Sequence, residues 1–408
     1  MGSKIGFILV VILISASFVG VISVAKLLYQ PDLAAYKEQA QKIFNEAKTV
    51  VEKIRNITLP HVDLEVVTKQ WAIDTWGKGY ADPDLTNILR EEKVYKGLFM
   101  MPENASLYQA NVDWAGNFGA ATWNDKIYVV KENFDPWNLP NAEATFVHEL
   151  THIWQPQLPS PPTFDANKAH TALVEGDASY MGDFFINQTK ATPAPLVVDQ
   201  VQLFLIGNSL LAEVHPDLPQ TISYLNWFPY DYGKLYISAL YKNGGWATVN
   251  QAYQNPPDTT QQILYPNKYF SNTTAQQVAA PTLAENNWTQ TRTDCYGEYF
   301  IQVMLGNWLS KNESVQASAG WSGDNFTYYE RDNDFLFTWK IKWDSSGDAS
   351  NFYAAFHNMA NIAAATGKDN YHWVATGRYL TITWNQNSNT TLIACSNNQA
   401  VTLESYFS

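Results

Sequence analysis

His148 and His152 stand four positions apart with Glu149 beside the first, in the run His148-Glu149-Leu150-Thr151-His152. On a helix, residues at that spacing project from one face, so the two imidazoles can share one tetrahedral zinc ion. Glu149 is then placed to take a proton from a water that the metal acidifies. Hydrolysis of a peptide bond needs such a water and a polarised carbonyl. The chain has only seven histidines, which makes the pairing a specific signal. Zinc binding alone would have no use for Glu149, so the segment predicts a zinc hydrolase rather than a structural zinc site.

Two imidazoles do not complete a site, and a third donor is required. The scheme with a glycine three residues and a histidine six residues beyond the second histidine is excluded, because Gln155 and Leu158 occupy those positions. A glutamate on the following helix is the other scheme. Glu175, in Ala172-Leu173-Val174-Glu175-Gly176-Asp177-Ala178, fits it, with His170 as the rival. Gly176 and Ala178 are small and would let that helix approach the first closely. Asp177, two positions on, points to nearly the opposite face, so an ion pair or a cap suits it better than support of a ligand.

These residues need two helices to hold them. The first is expected from Asn141, just after Pro140, to about Trp154, because Pro156 cannot continue it. A proline-rich loop over 156–162 leads to a second helix over about 166–186. Ahead of them, residues 119–123 and 126–130 read as a hairpin across Asn124-Asp125. Further helices are expected over 232–242, 246–254 and 293–309. The tail reads as strands at 326–330 and 335–343, a helix at 349–365, and strands at 371–384 and 391–394. The fold class predicted is α+β: a mainly helical, zincin-like catalytic unit over 61–310 and a ββαββ subdomain over 311–408.

The start of the chain is of another kind. Residues 5–25 are uncharged and apolar between Lys4 and Lys26, about the ~20 residues that span a bilayer. They predict a transmembrane signal anchor over 1–28, the other reading being a cleaved secretory signal. Leu33, Tyr36, Ala40, Ile43, Ala47, Val50 and Ile54 then form a heptad seam, a helical stalk over 29–60 that either self-associates or lies on the body. Acceptor sequons at Asn56, Asn104, Asn187, Asn272, Asn287, Asn312, Asn325 and Asn389 point to an exported, glycosylated ectodomain at the cell surface. The net charge of −13, with no basic cluster, excludes nucleic acid as a partner. Cys295 and Cys395, the only cysteines, form either one disulfide or two separate thiols.

Further motifs accompany the metal segment: Phe228-Pro229-Tyr230 followed by Gly233, Gly244-Gly245-Trp246, Gly297-Glu298, and Gly320-Trp321-Ser322-Gly323-Asp324. Together with His148–Gln157 and the Glu175 run, they resemble a family of exported bacterial and archaeal gluzincin-type metallopeptidases over roughly residues 64–394. The resemblance implies zinc on His148, His152 and Glu175, with Glu149 catalytic. The chain departs from the family pattern at Pro156, where an acid is usual, and at Tyr265, where a histidine is usual. A metallopeptidase also needs a donor for the oxyanion, and Tyr230, in the resembling stretch, is the candidate. Glu298 could line the cleft or serve as a surface or capping residue. The expected function is cleavage of protein or peptide substrates by a membrane-anchored zinc peptidase. The alternative is a non-catalytic surface glycoprotein used for adhesion or assembly.

Overall fold

A computed structural model describes residues 32–189 and 219–397, apart from 282, 284–286, 365, 368–371 and 376. The expected membrane anchor lies outside the described residues. Among the described residues, no helix is long and apolar enough to cross a membrane.

Helix α1 (Leu33–Arg55) opens on Asp32, whose side chain accepts from the Ala34 amide, and closes on Asn56 in a left-handed conformation. Its heptad seam does not project as a stalk. Tyr36, Ala40, Ile43, Phe44, Ala47 and Val51 are all buried in one cluster with Ile127, Val129, Phe134, Phe146, Val147 and Leu150. Phe44 meets Phe146 edge to face at 5.7 Å, and the Tyr36 hydroxyl donates to Phe134 O at 2.9 Å. The seam is used up against the body of the protein.

A three-stranded sheet follows, with β1 (Asp63–Val67) parallel to β3 (Lys126–Val130) and β2 (Ala120–Trp123) antiparallel to β3, at the edge. The β2–β3 hairpin turns at Asn124 and Asp125, with φ of 51° and 59°. Those residue types tolerate the left-handed region that a two-residue hairpin demands. Between β1 and β2 run helices α2 (Leu85–Gly97) and α3 (Leu107–Trp114).

Helix α4 (Leu139–Trp154) carries the histidine pair, with Pro140 in its first turn and Pro156 just beyond its end. Helix α5 (Phe164–Thr189) returns beside it. Helix α6 (Gln220–Ala252) bends where Gly244 and Gly245 leave helical geometry, and Pro229 lies inside it. Proline has no N–H for the carbonyl four residues back. Here Lys168 Nζ donates to that carbonyl, Leu225 O, at 3.0 Å. The small residues act differently from expectation. A Cβ on Gly176 would stand 2.3 Å from the Gly233 carbonyl carbon, so Gly176 admits α6. The approach of α5 to α4 falls on Gly182, whose Cβ would lie 3.1 Å from Ala144 O.

The C-terminal part is not a ββαββ unit beside a mainly helical zincin-like domain. It is sheet-rich, built on one antiparallel sheet of seven strands: β4 (Thr289–Asp294), β5 (Trp321–Arg331), β6 (Asp334–Trp343), β7 (Thr366–Gly367), β8 (His372–Ala375), β9 (Arg378–Asn385) and β10 (Thr390–Ser396). Their order is β4-β5-β6-β10-β9-β8-β7. Helices α7 (Gly297–Gly306) and α8 (Lys311–Ser318) precede β5, and α9 (Ser346–Ala363) follows β6. Two physical features hid the sheet's full extent. Strand β4 is Thr-Gln-Thr-Arg-Thr-Asp, a polar edge strand with no apolar alternation to read. The expected strand over 371–384 is two strands, turned at Gly377 with φ 75°. One core joins sheet and helices: the Tyr296 ring stacks on Phe300 at 3.8 Å and on Phe326 at 4.1 Å.

Candidate metal centre

The α4 and α5 side chains meet where the two helices lie together. His148 Nε2 is 3.1 Å from His152 Nε2. Glu175 Oε2 is 3.2 Å from the first and 3.5 Å from the second. Tetrahedral zinc with bonds of ~2.0–2.1 Å separates its ligand atoms by about 3.3 Å, so the triangle has the right edges. Glu175 Oε2 is buried and makes no directed hydrogen bond, although two imidazole nitrogens lie that close. Three donor atoms at these separations, with one carboxylate oxygen left without a hydrogen bond, fit a cation. Among the described residues this is the group of three or more His, Cys, Asp or Glu side chains that could hold a metal ion, and His170 is not part of it.

Charge in the site favours a cation too. Burial lowers the proton affinity of His152, but Glu175 outweighs it and raises the ring to about 9. Burial alone would raise Glu175, and the two histidines instead hold it well below the usual carboxylate range.

Glu149 follows His148 on α4 and is nearly buried, at 6% exposure. The Thr122 hydroxyl on edge strand β2 lies 2.8 Å from Glu149 Oε2 and 2.9 Å from the Glu149 carbonyl oxygen. Tyr230, one residue past Pro229, stacks on the His148 ring at 6.1 Å with planes 19° apart. Burial first, then Glu175 and Glu149, push its hydroxyl well above the usual phenol range, so it stays a donor.

Asp177 forms an ion pair, as its position on the helix suggested. Its partner is Arg55, at 2.7 Å, from the far end of α1. Gln155, the residue that closes α4, holds His152 Nδ1 at 2.8 Å. Sequence reasoning missed Thr122, Gln155 and Arg55, and the only signal was Arg55 standing one position past the end of the apolar seam. Cys295 and Cys395 are separate thiols, with Cys295 Sγ donating to Asp324 at 3.3 Å.

Glu298 lines no cleft. It is fully buried in the first turn of α7, accepting from Gln261 Nε2 at 2.7 Å. Burial pushes it up to about 7, against hydrogen bonds from Gln261, Tyr265 and Gln302 that pull it down. A carboxyl raised in the folded state stabilises the fold while protonated. That contribution is full below its ordinary 4.5 and is lost as pH rises through 7. Glu298→Gln should remove this dependence and stabilise the protein at pH 8 by about 2–3 kcal/mol relative to wild type. Urea unfolding at pH 5 and pH 8 measures it, and identical pH slopes for the two proteins would discard the assignment.

The model of a family described as a domain of unknown function (DUF8575) matches residues 285–404, the sheet and not the metal-binding segment. No curated protein and no solved structure matches the chain.

Proposed function

We propose that this protein is a zinc-dependent peptidase of the gluzincin type, with zinc on His148, His152 and Glu175. The observation that carries the reading is the donor triangle with a carboxylate outside it, Glu149, next to His148 in the chain and held by Thr122. A bound zinc supplies Lewis acidity, acidifying a water and polarising the scissile carbonyl. The Glu149 carboxylate would take the proton from that water and deliver it to the departing amine. Thr122 keeps the carboxylate oriented by its hydroxyl. Tyr230 Oη donates to the carbonyl oxygen as negative charge develops there.

A peptide substrate is favoured by β2, which among the described residues is an edge strand, the kind of edge to which an extended chain can add. Thr122 lies on that strand, which ties it to Glu149. Export to the cell surface through a membrane anchor rests on residues 5–25 and the sequons. Asn56, Asn104, Asn272, Asn287 and Asn312 are exposed, as glycan acceptors must be. Asn56 and Asn272 also take left-handed φ of 53°, which gives asparagine a backbone reason at those two positions.

The test is metal analysis of the purified chain together with an assay on a mixed library of quenched fluorescent peptides. One zinc per chain is expected, with cleavage lost to a chelator and restored by zinc. Zinc without cleavage would leave a surface glycoprotein without enzymatic activity. A chain that binds no zinc would end the proposal.

A further inference from the structure

The orientation of His152 is decided at a distance. The oxygen and nitrogen of a glutamine amide are similar in size, so its contacts must say which is which. One end of Gln155 meets His152 Nδ1 at 2.8 Å. The other end meets Val174 O at 3.0 Å and Asp177 Oδ2 at 3.4 Å. A backbone carbonyl and an arginine-paired carboxylate can only accept. The NH2 group of Gln155 must therefore face them, which turns its carbonyl oxygen to His152. That oxygen also only accepts, so Nδ1 carries a proton. In the neutral ring the lone pair is then left on Nε2, the atom that faces His148 and Glu175.

Asp177 is fixed in turn. It is fully buried. Arg55 Nη1 donates to its Oδ1 at 2.7 Å and Nη2 to Oδ2 at 3.4 Å, and the Tyr253 hydroxyl donates to Oδ2 at 2.9 Å. The guanidinium lies 4.1 Å from the ring centroids of both Trp154 and Trp246. Its Nη2 also donates to Asn250 Oδ1 at 2.8 Å. Planar stacking and directed bonds leave Arg55 one position to occupy, whereas lysine would offer a point charge without the fork.

We infer that Gln155, Asp177 and Arg55 are positioning residues for the metal ligand His152, and that helix α1 is thereby a working part of the metal centre. The inference rests on the proposal that His148, His152 and Glu175 hold zinc. It goes beyond that proposal by assigning the ligand's tautomer to residues that touch neither metal nor substrate, one of them on a helix far away in the chain.

Two variants of the full chain test it: Gln155→Met, which keeps the side-chain length without polar atoms, and Arg55→Lys. Zinc affinity is read by competition with a chromophoric chelator, ligand geometry by visible absorption of the cobalt(II)-loaded protein, and folding by thermal unfolding of the metal-free protein. Gln155→Met should bind zinc about 10–100-fold more weakly, with an altered cobalt spectrum and a metal-free melting temperature close to wild type. Arg55→Lys should shift affinity in the same direction by a smaller factor. It reports on the relay even if Gln155→Met fails to fold. Wild-type affinity and spectrum in both variants, in a protein that does bind zinc, would overturn the relay and leave the zinc proposal standing. A wild-type chain that binds no zinc would overturn both.

Discussion

Glu149→Gln should leave one zinc bound per chain and lower kcat for peptide cleavage by about 10²–10⁴-fold, the usual worth of a positioned proton acceptor. The two properties separate because Glu149 is outside the donor triangle of His148, His152 and Glu175. Glutamine is isosteric, and its amide oxygen can still accept from the Thr122 hydroxyl, which now lies 2.8 Å from the carboxylate. The substitution removes the capacity to take a proton and little else. Kinetics on protein of measured zinc content provide the check. Undiminished cleavage by fully loaded Glu149→Gln would remove the carboxylate from the chemistry. Loss of zinc would place it among the ligands.

The parts of this site that share one helix were legible in the sequence. His148, Glu149 and His152 follow from helical spacing and a proline stop. Glu175 followed from the need for a third donor on a return helix. What reached the site from elsewhere was not legible. The seam of α1 announced one buried face, but a heptad pattern does not say what covers it, and here the body of the protein packs against it. Arg55 pairs with Asp177 across 122 residues, a separation at which spacing carries no signal. Thr122 was inside a hairpin read correctly, yet nothing in a strand pattern says which neighbouring helix lies against its edge. The full extent of the sheet was lost for the same kind of reason, since the polar edge strand β4 gives no burial pattern and a turn at Gly377 divides β8 from β9.

Asp177→Ala should destabilise the protein by about 3–5 kcal/mol, because breaking a buried ion pair leaves its other member charged and trapped. Arg55 cannot escape to water: its side chain is 1% exposed, and the Trp154 and Trp246 rings both lie 4.1 Å from its guanidinium. The Tyr253 hydroxyl loses its acceptor as well. The double variant Arg55→Met/Asp177→Leu should recover most of that loss, since apolar groups of similar volume in place of a buried pair are often neutral or better. Urea unfolding of the metal-free proteins measures both. A loss below ~1 kcal/mol in the single variant would mean that Arg55 finds another partner or solvent. Recovery of stability has a further use. If the pair served only to hold α1 in place, the double variant would regain zinc affinity together with its fold. If it serves His152 through Gln155, the double variant should be stable and bind zinc more weakly than wild type, because only the Val174 carbonyl remains to hold the glutamine amide.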